Sequence, residues 1–358
     1  MKLPHNLFRD KKGEFVNCHL CFRRCLLKEG ELGFCGNRKA VKNLQGELQP
    51  VFRTVKRIEA LNIDPIEKKP LYHFYPGKNV ISLGLRGCNM KCFYCQNYQL
   101  SQDKNFDFKE VGEIKKDLEI EKEENPPLVE QTKSLLKESG EKQSSGAIGV
   151  AFTYSEPITW FEFLYPVAKN TKKEGFVNVL VSNGMVTEEV RSELSPLLDG
   201  ANIDVKSFSE ENYRHLGGSL TAVKSTVEDL HASGIHVELT YLIVPEFNDK
   251  DQEIKSFLKW VSEVSPDIPV HFSRYFPSYQ AQASPTPVEK MIEVYNIAKQ
   301  YINYVYLGNL GQEKYQSTYC PECEGVVIRR SVFAVSNKLK GDECPYCQYK
   351  IAGCFIYY

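Results

Sequence analysis

From about residue 79 the chain alternates short apolar runs with longer amphipathic stretches. The runs at Val80 to Leu85, Ala147 to Thr153, Val177 to Val181, Ala201 to Val205, Val237 to Ile243 and Val270 to Phe272 are continuous rather than alternating, and Tyr304 to Leu307 offers a seventh. Continuous runs of this length predict strands covered on both faces, as in parallel sheets. The intervening spacing is helical. Leu128, Thr132, Leu135 and Leu136 share one helix face, Thr187 stands where it can cap EEVRSELSPLL, Asp249 precedes QEIKSFLKWVSEV, and PVEKMIEVYNIAKQY repeats the pattern. Six alternations of strand and helix predict an α/β fold with parallel strands, either an open sheet or a barrel.

Composition narrows the classes. A chain of 358 residues with 42% hydrophobic positions suits one large domain with small attached modules. With 45 Lys+Arg against 46 Asp+Glu it lacks the basic excess used to read nucleic acid or an anionic membrane. No apolar run is long enough to span a bilayer. The opening MKLPHNLFRDKK lacks a secretory apolar stretch, so a cytoplasmic protein with reduced thiols is expected. Residues 103–146, densest in charge at IKKDLEIEKEENPP, read as a surface insertion.

Twelve cysteines fall in groups of four, three, four and one, which points to metal. Cys88, Cys92 and Cys95 make a C-x3-C-x2-C set directly after the first predicted parallel strand. Three thiolates on one short loop can ligate three irons of a cubane and leave the fourth open; a zinc loop with a distant fourth ligand is the alternative. Cys320, Cys323, Cys344 and Cys347 form two C-x2-C knuckles around a predicted hairpin in GVVIRRSVFAV, a zinc-ribbon or rubredoxin-like pattern that holds zinc in preference to iron. Arg329 and Arg330 read as a solvated face of that hairpin. Cys18, Cys21, Cys25 and Cys35 would satisfy zinc or an auxiliary iron–sulfur cluster, and the lack of redox-tuning polar residues nearby favours zinc. Cys354 reads as a buried thiol. The expected organisation is a four-cysteine module over 1–48, the α/β domain over 49–316 and a zinc-ribbon-like module over 317–358.

The triplet, with an aromatic residue, Tyr94, just before its third cysteine, resembles the signature of the radical S-adenosylmethionine (radical SAM) enzymes. The resemblance implies a [4Fe-4S] cluster on Cys88, Cys92 and Cys95, whose open iron chelates S-adenosylmethionine. One electron then cleaves the sulfonium to methionine and a 5'-deoxyadenosyl radical, which abstracts hydrogen from a substrate. It further implies a partial (β/α)6 TIM-like barrel. Tyr154, Ser155, Glu156 and Pro157 stand where the family has a G-G-E-P-like turn that receives the cosubstrate's ammonium. Ser182-Asn183-Gly184 resembles a ribose or carboxylate contact, and Asp204 with Lys206 resembles the D-x-K of pyruvate formate-lyase activating enzymes. Each signature lies at the C-terminal end of a successive predicted strand, where barrels carry active sites. One departure is Val181, where those activators carry an acid, which implies that their monovalent-cation site is absent.

Nearly end to end, the chain is similar to the AmmeMemoRadiSam-system radical SAM enzymes. The segments that carry this are CHLC from Cys18 to Cys21, Gly33 to Gly36, DPIEKKPL from Asp64, YHFYPG from Tyr72, HFSRYFP from His271, Tyr306 to Asn309 and the paired knuckles. DPIEKKPL and YHFYPG precede the first parallel strand and would either line the barrel mouth or plug its bottom, with His73 a packed residue. Arg274 and Tyr275 are expected at the core or rim. The resemblance implies an electron donor such as flavodoxin or ferredoxin, and a protein substrate; a small metabolite is the competing substrate. A non-catalytic, zinc-held binding module is the alternative from another class, and the open position of the triplet speaks against it.

Overall fold

Residues 10–12, 14–42, 46–52, 58–102, 132, 134, 146–331 and 334–355 are described by the computed structural model. Two small antiparallel sheets come first: β1 (Asp10–Lys12), β2 (Phe15–Asn17) and β3 (Leu26–Leu27) in one, β4 (Arg38–Lys42) and β5 (Leu48–Phe52) in the other. The β4–β5 pairing carries the N-terminal module past the expected boundary at residue 48, to Phe52.

Eight strands then form one sheet, hydrogen-bonded in strict chain order: β6 (Ala60–Pro65), β7 (Asn79–Gly84), β8 (Ala147–Phe152), β9 (Val177–Ser182), β10 (Gly200–Asp204), β11 (His236–Ile243), β12 (Val270–Arg274) and β13 (Val305–Gly308). β6 runs antiparallel to β7 and the other neighbours are parallel. Consecutive order with right-handed crossovers puts the helices on one face and turns the other inward, the geometry of a partial barrel. Helices Phe161–Lys173, Glu188–Leu194, Leu220–Ala232, Asp251–Val264 and Val288–Ala298 supply the outer layer. The seventh expected strand is real. Thr187 does precede its helix, but its hydroxyl donates to His19 O at 2.7 Å instead of capping. The helix expected after Asp249 starts at Asp251, and Asp249 accepts from Glu246 N. The 103–146 insertion and the pattern through Leu128, Leu135 and Leu136 lie outside the described residues, apart from positions 132, 134 and 146.

Alternate positions on the strands serve different layers. Ile81, Leu83, Val150, Phe152, Ile203, Leu239 and Phe272 pack toward the helices with Leu164, Val227 and Phe257. Val80, Ala151, Val177 and Val179 face inward against Ile66, Leu71 and Phe74. Toward β11–β13 the inner face turns polar: His271 pairs in register with Tyr306 on one side and Thr240 on the other, and Glu238 lies two positions before Thr240, on the same face of β11. The Glu238 carboxylate is fully buried and accepts from Tyr72 N (3.0 Å), His73 N (2.7 Å), His236 Nε2 (2.9 Å) and His271 Nε2 (2.6 Å). Burial opposes its charge, and the hydrogen bonds from His236 and His271 more than offset this, holding the carboxyl below the ordinary range.

These contacts put YHFYPG at the N-terminal ends of the strands, so that segment plugs the barrel bottom. His73 is fully buried, its ring bonded to Ala352 O and to Tyr306 Oη. The C-terminal module docks beneath. Its sheet, β14 (Thr318–Tyr319), β15 (Val326–Arg330) and β16 (Val335–Asn337), is antiparallel and contains the expected hairpin. Arg330 corrects the solvated-face expectation: it is 2% exposed, bonded to Thr318 Oγ1 and Tyr72 O, and stacked over the Tyr72 ring. Arg329 does stay on the surface, paired with Glu313. Cys354 is only partly buried; its backbone pairs with His73 and Tyr75.

Candidate active site at the strand C-termini

The loop that leaves β7 carries Cys88, Cys92 and Cys95, with Cys92 buried and the other two partly so. Gly87, at φ +100°, allows the loop to turn where a Cβ would run into the Asn37 amide. That amide donates to Arg86 O at 2.6 Å and to Thr159 Oγ1 at 2.9 Å, tying the N-terminal module to two barrel loops. The three sulfurs do not gather as around one ion: among the described residues, Cys320, Cys323, Cys344 and Cys347 are the set of metal-binding side chains whose ligand atoms all lie within 4.8 Å of one another. Wider spacing suits thiolates on separate irons of a cluster.

The next loop carries Tyr154, Ser155, Glu156 and Pro157. Glu156 caps a 3-10 helix over Pro157–Trp160, accepting from Ile158 N, with Pro157 at its first position. Its carboxylate also accepts from Ser182 Oγ (2.8 Å) and Asn183 N (2.9 Å). Burial pushes the carboxyl up to about 7, against the pull of the Asn183 and Ser182 hydrogen bonds. Glu156 therefore joins the loop after β8 to the loop after β9. Ser155 bonds Leu85 O and receives the Trp160 indole N–H. Tyr154, at φ +71°, sends its hydroxyl to Asp64 (3.0 Å), whose other partners are Lys68, Lys69 and Ser82. This cluster, invisible in the one-dimensional spacing, links DPIEKKPL to the YSEP turn.

After β9, Asn183 donates to the Cys88 sulfur at 3.7 Å and to Asn89 Oδ1 at 2.8 Å. After β10, Lys206 and Asp204 form an ion pair at 2.9 Å. Burial opposes the Lys206 charge, but Asp204, Cys92 and Cys95 together raise its pKa. Burial pushes the Cys92 thiol up to about 11, with Lys206 pulling the other way. Cys88 is raised by burial, and next by the Glu156 charge. Tyr94 is 3% exposed, packed between Phe93 and Phe247. The structure thus brings the triplet, Glu156, Asn183 and Lys206 to one end of the sheet. Arg274 and Tyr275 are both bonded to Thr286, with Tyr275 fully buried in the core. Val181 packs at the edge of the inner apolar cluster.

Residues 83–258, which span the triplet and the three loops beyond it, match the radical SAM superfamily. The chain belongs to that superfamily. Radical SAM enzymes carry a [4Fe-4S] cluster and use S-adenosylmethionine and a reductant, and the donor set on the β7 loop fits such a cluster. Among relatives, the uncharacterized protein MJ0808 of Methanocaldococcus jannaschii is 34% identical over 342 residues, covering 94% of this chain and 95% of that one. Pyruvate formate-lyase 1-activating enzyme of Escherichia coli strain K12 is 26% identical over 179 residues, 49% of this chain and 65% of the enzyme. The radical SAM methyltransferase of Sphaerobacter thermophilus shares the fold, with a TM-score of 0.51, 13% identity and 76% coverage of each chain. Among the described residues, no helix is long and apolar enough to cross a membrane.

Proposed function

We propose that Cys88, Cys92 and Cys95 hold the radical SAM cluster and that the chain modifies a polypeptide by hydrogen abstraction, in the manner of a glycyl-radical activating enzyme. When bound, cluster and cosubstrate supply the electron and the sulfonium whose cleavage gives methionine and a 5'-deoxyadenosyl radical. The observation that carries the reading is the convergence of Glu156, Asn183 and Lys206 on the triplet loop. Glu156, with lone pairs left beyond its three donors, would receive the cosubstrate's ammonium. Tyr94 and Pro157 would wall the cosubstrate site, Ser155 and Tyr154 would fix the YSEP backbone, and Ser182 would hold Glu156 in place. Lys206 and Asp204 present a charge pair beside Cys92 and Cys95. A ferredoxin- or flavodoxin-class donor would supply the electron.

A polypeptide substrate is supported by exposed aromatics around the triplet. Tyr98 and Tyr279 stack at 4.9 Å and stand 37% and 43% exposed, and Phe276 is 41% exposed. Ser278 Oγ bonds Cys95 O, so this patch adjoins the reactive loop. Similarity to the activating enzyme points the same way. In the C-terminal module, Cys320 and Cys347 lie 3.5 Å apart and Cys323 and Cys344 3.7 Å, which supports a single zinc. The test is anaerobic incubation with dithionite, S-adenosylmethionine and lysate fractions of the source cells. A carbon-centred radical signal on a partner protein is expected; a modified small metabolite without that signal overturns the polypeptide reading.

A further inference from the structure

The two four-cysteine sets differ in shape. Around one tetrahedral ion with metal–sulfur bonds of about 2.3 Å, thiolates stand about 3.8 Å apart. The C-terminal set meets this, with sulfur pairs at 3.5 and 3.7 Å. Cys18, Cys21, Cys25 and Cys35 do not: all four instead line one cavity that is partly open to solvent. Among the described residues, no three of them draw within the 4.8 Å that the C-terminal set achieves. Sulfurs spread around a space, rather than packed on a point, suit a polynuclear centre.

The rest of the lining agrees. Leu20 and Ile158 are apolar walls, and Arg23 and Arg38 bring positive charge to what would be an anionic tetrathiolate centre. Charge alone would suit zinc equally; the spacing decides. The cavity also abuts the triplet loop. Arg23 donates Nε to Asn89 O at 3.0 Å, on the triplet loop, and stacks on Phe34. Cys21 bridges Val186 and Phe22 N donates to Met185 O, which seats the module on the turn that follows Asn183.

We propose that Cys18, Cys21, Cys25 and Cys35 hold a second iron–sulfur cluster of the [4Fe-4S] class, not zinc, one side chain away from the triplet site. The assignment rests on this cavity; only the identity of its neighbour rests on the function proposed above. With four protein thiolates it has no open iron for a substrate, which leaves one-electron exchange. An electron taken from a low-potential donor, dithionite or a reduced ferredoxin, passes to the neighbouring site with no bond made or broken.

The test uses the full chain carrying Cys88→Ala, Cys92→Ala and Cys95→Ala together, reconstituted without oxygen, with iron, sulfide and zinc measured per chain. About four irons, four sulfides and one zinc are expected, with a paramagnetic signal on reduction that S-adenosylmethionine leaves unchanged. Adding Cys18→Ala and Cys35→Ala should remove the iron and keep the zinc, which reports that the chain still folds. Zinc near two per chain with no iron overturns the proposal, and so does iron that survives the five substitutions. Failure of the radical reading looks different: the wild-type spectrum would ignore S-adenosylmethionine while the triple variant kept its iron.

Discussion

Glu156 Oε2 accepts the backbone N–H of Asn183 at 2.9 Å, so the acid after β8 fixes the turn after β9, whose side chain in turn touches the Cys88 sulfur. The same carboxylate is both a loop anchor and the group expected to meet the cosubstrate's ammonium.

That double role has a pH signature. Burial puts the folded Glu156 pKa at about 7, above its ordinary value of 4.5. For a group raised on folding, stability is full below the unfolded pKa and is lost as pH rises through the folded one. Glu156→Gln is therefore expected to raise the unfolding midpoint at pH 8. It should also weaken S-adenosylmethionine binding about tenfold or more at that pH, the difference from wild type growing between pH 6 and 8. Equilibrium binding and thermal melts across that range check both, and equal affinities at pH 8 would refute the ammonium contact.

Lys206 is ion-paired with Asp204, and its charge interacts favourably with Cys92 and Cys95. Its cation favours the more negative, reduced form of a cluster there. Lys206→Met should shift the potential downward by tens of millivolts and Asp204→Asn upward, at about 60 mV per 1.4 kcal/mol for one electron. A potentiometric titration followed by magnetic resonance reads both signs, and shifts in the same direction would contradict the placement.

At the barrel bottom, burial lowers the His73 pKa to about 3 from an ordinary 6.5. A depressed folded pKa means stability is present above the unfolded value and lost as pH falls below it. From pH 6.5 down to about 4.5 the loss should approach 1.4 kcal/mol per pH unit from this group. Glu238, also held low, adds its own loss only below its ordinary pKa of 4.5. Urea unfolding of His73→Asn should show a flatter slope in the upper window, and an unchanged slope would mean that His73 is not neutral in the fold.

The C-terminal module owes little to its small core of Val327, Ile328 and Ile351, so its order depends on the four thiolates and an ion, worth on the order of 10 kcal/mol. Cys344→Ser is expected to open residues 317–355 to limited proteolysis and to loosen the plug that Cys354 braces through His73 and Tyr75. Mass analysis of the fragments checks this; a protected module in that variant would contradict the metal's structural role.

The parallel strands were legible because burial on both faces writes continuous apolar runs such as Ala147–Phe152. The antiparallel edge strand Ala60–Pro65 was not, since ALNIDP mixes an exposed Leu61 and Ile63 with a buried Asp64 that serves Lys69 and Tyr154. The triplet could be read from spacing alone because its ligands share one loop. The contacts of Asn183 and Lys206 with that loop could not, being set by strands two and three places along the sheet from β7 and far apart in sequence. Glu238 stayed hidden inside an apolar run, and its four donors come from the plug and two other positions on the strands. The difference between the two four-cysteine sets is likewise one of sulfur spacing in space, which residue counting does not reveal.

The most direct test of the central claim is release of 5'-deoxyadenosine by the anaerobically reconstituted chain given dithionite and S-adenosylmethionine. Wild type is expected to release it and Cys92→Ala to release none. Equal release from both would contradict the assignment of the triplet as the site of cleavage.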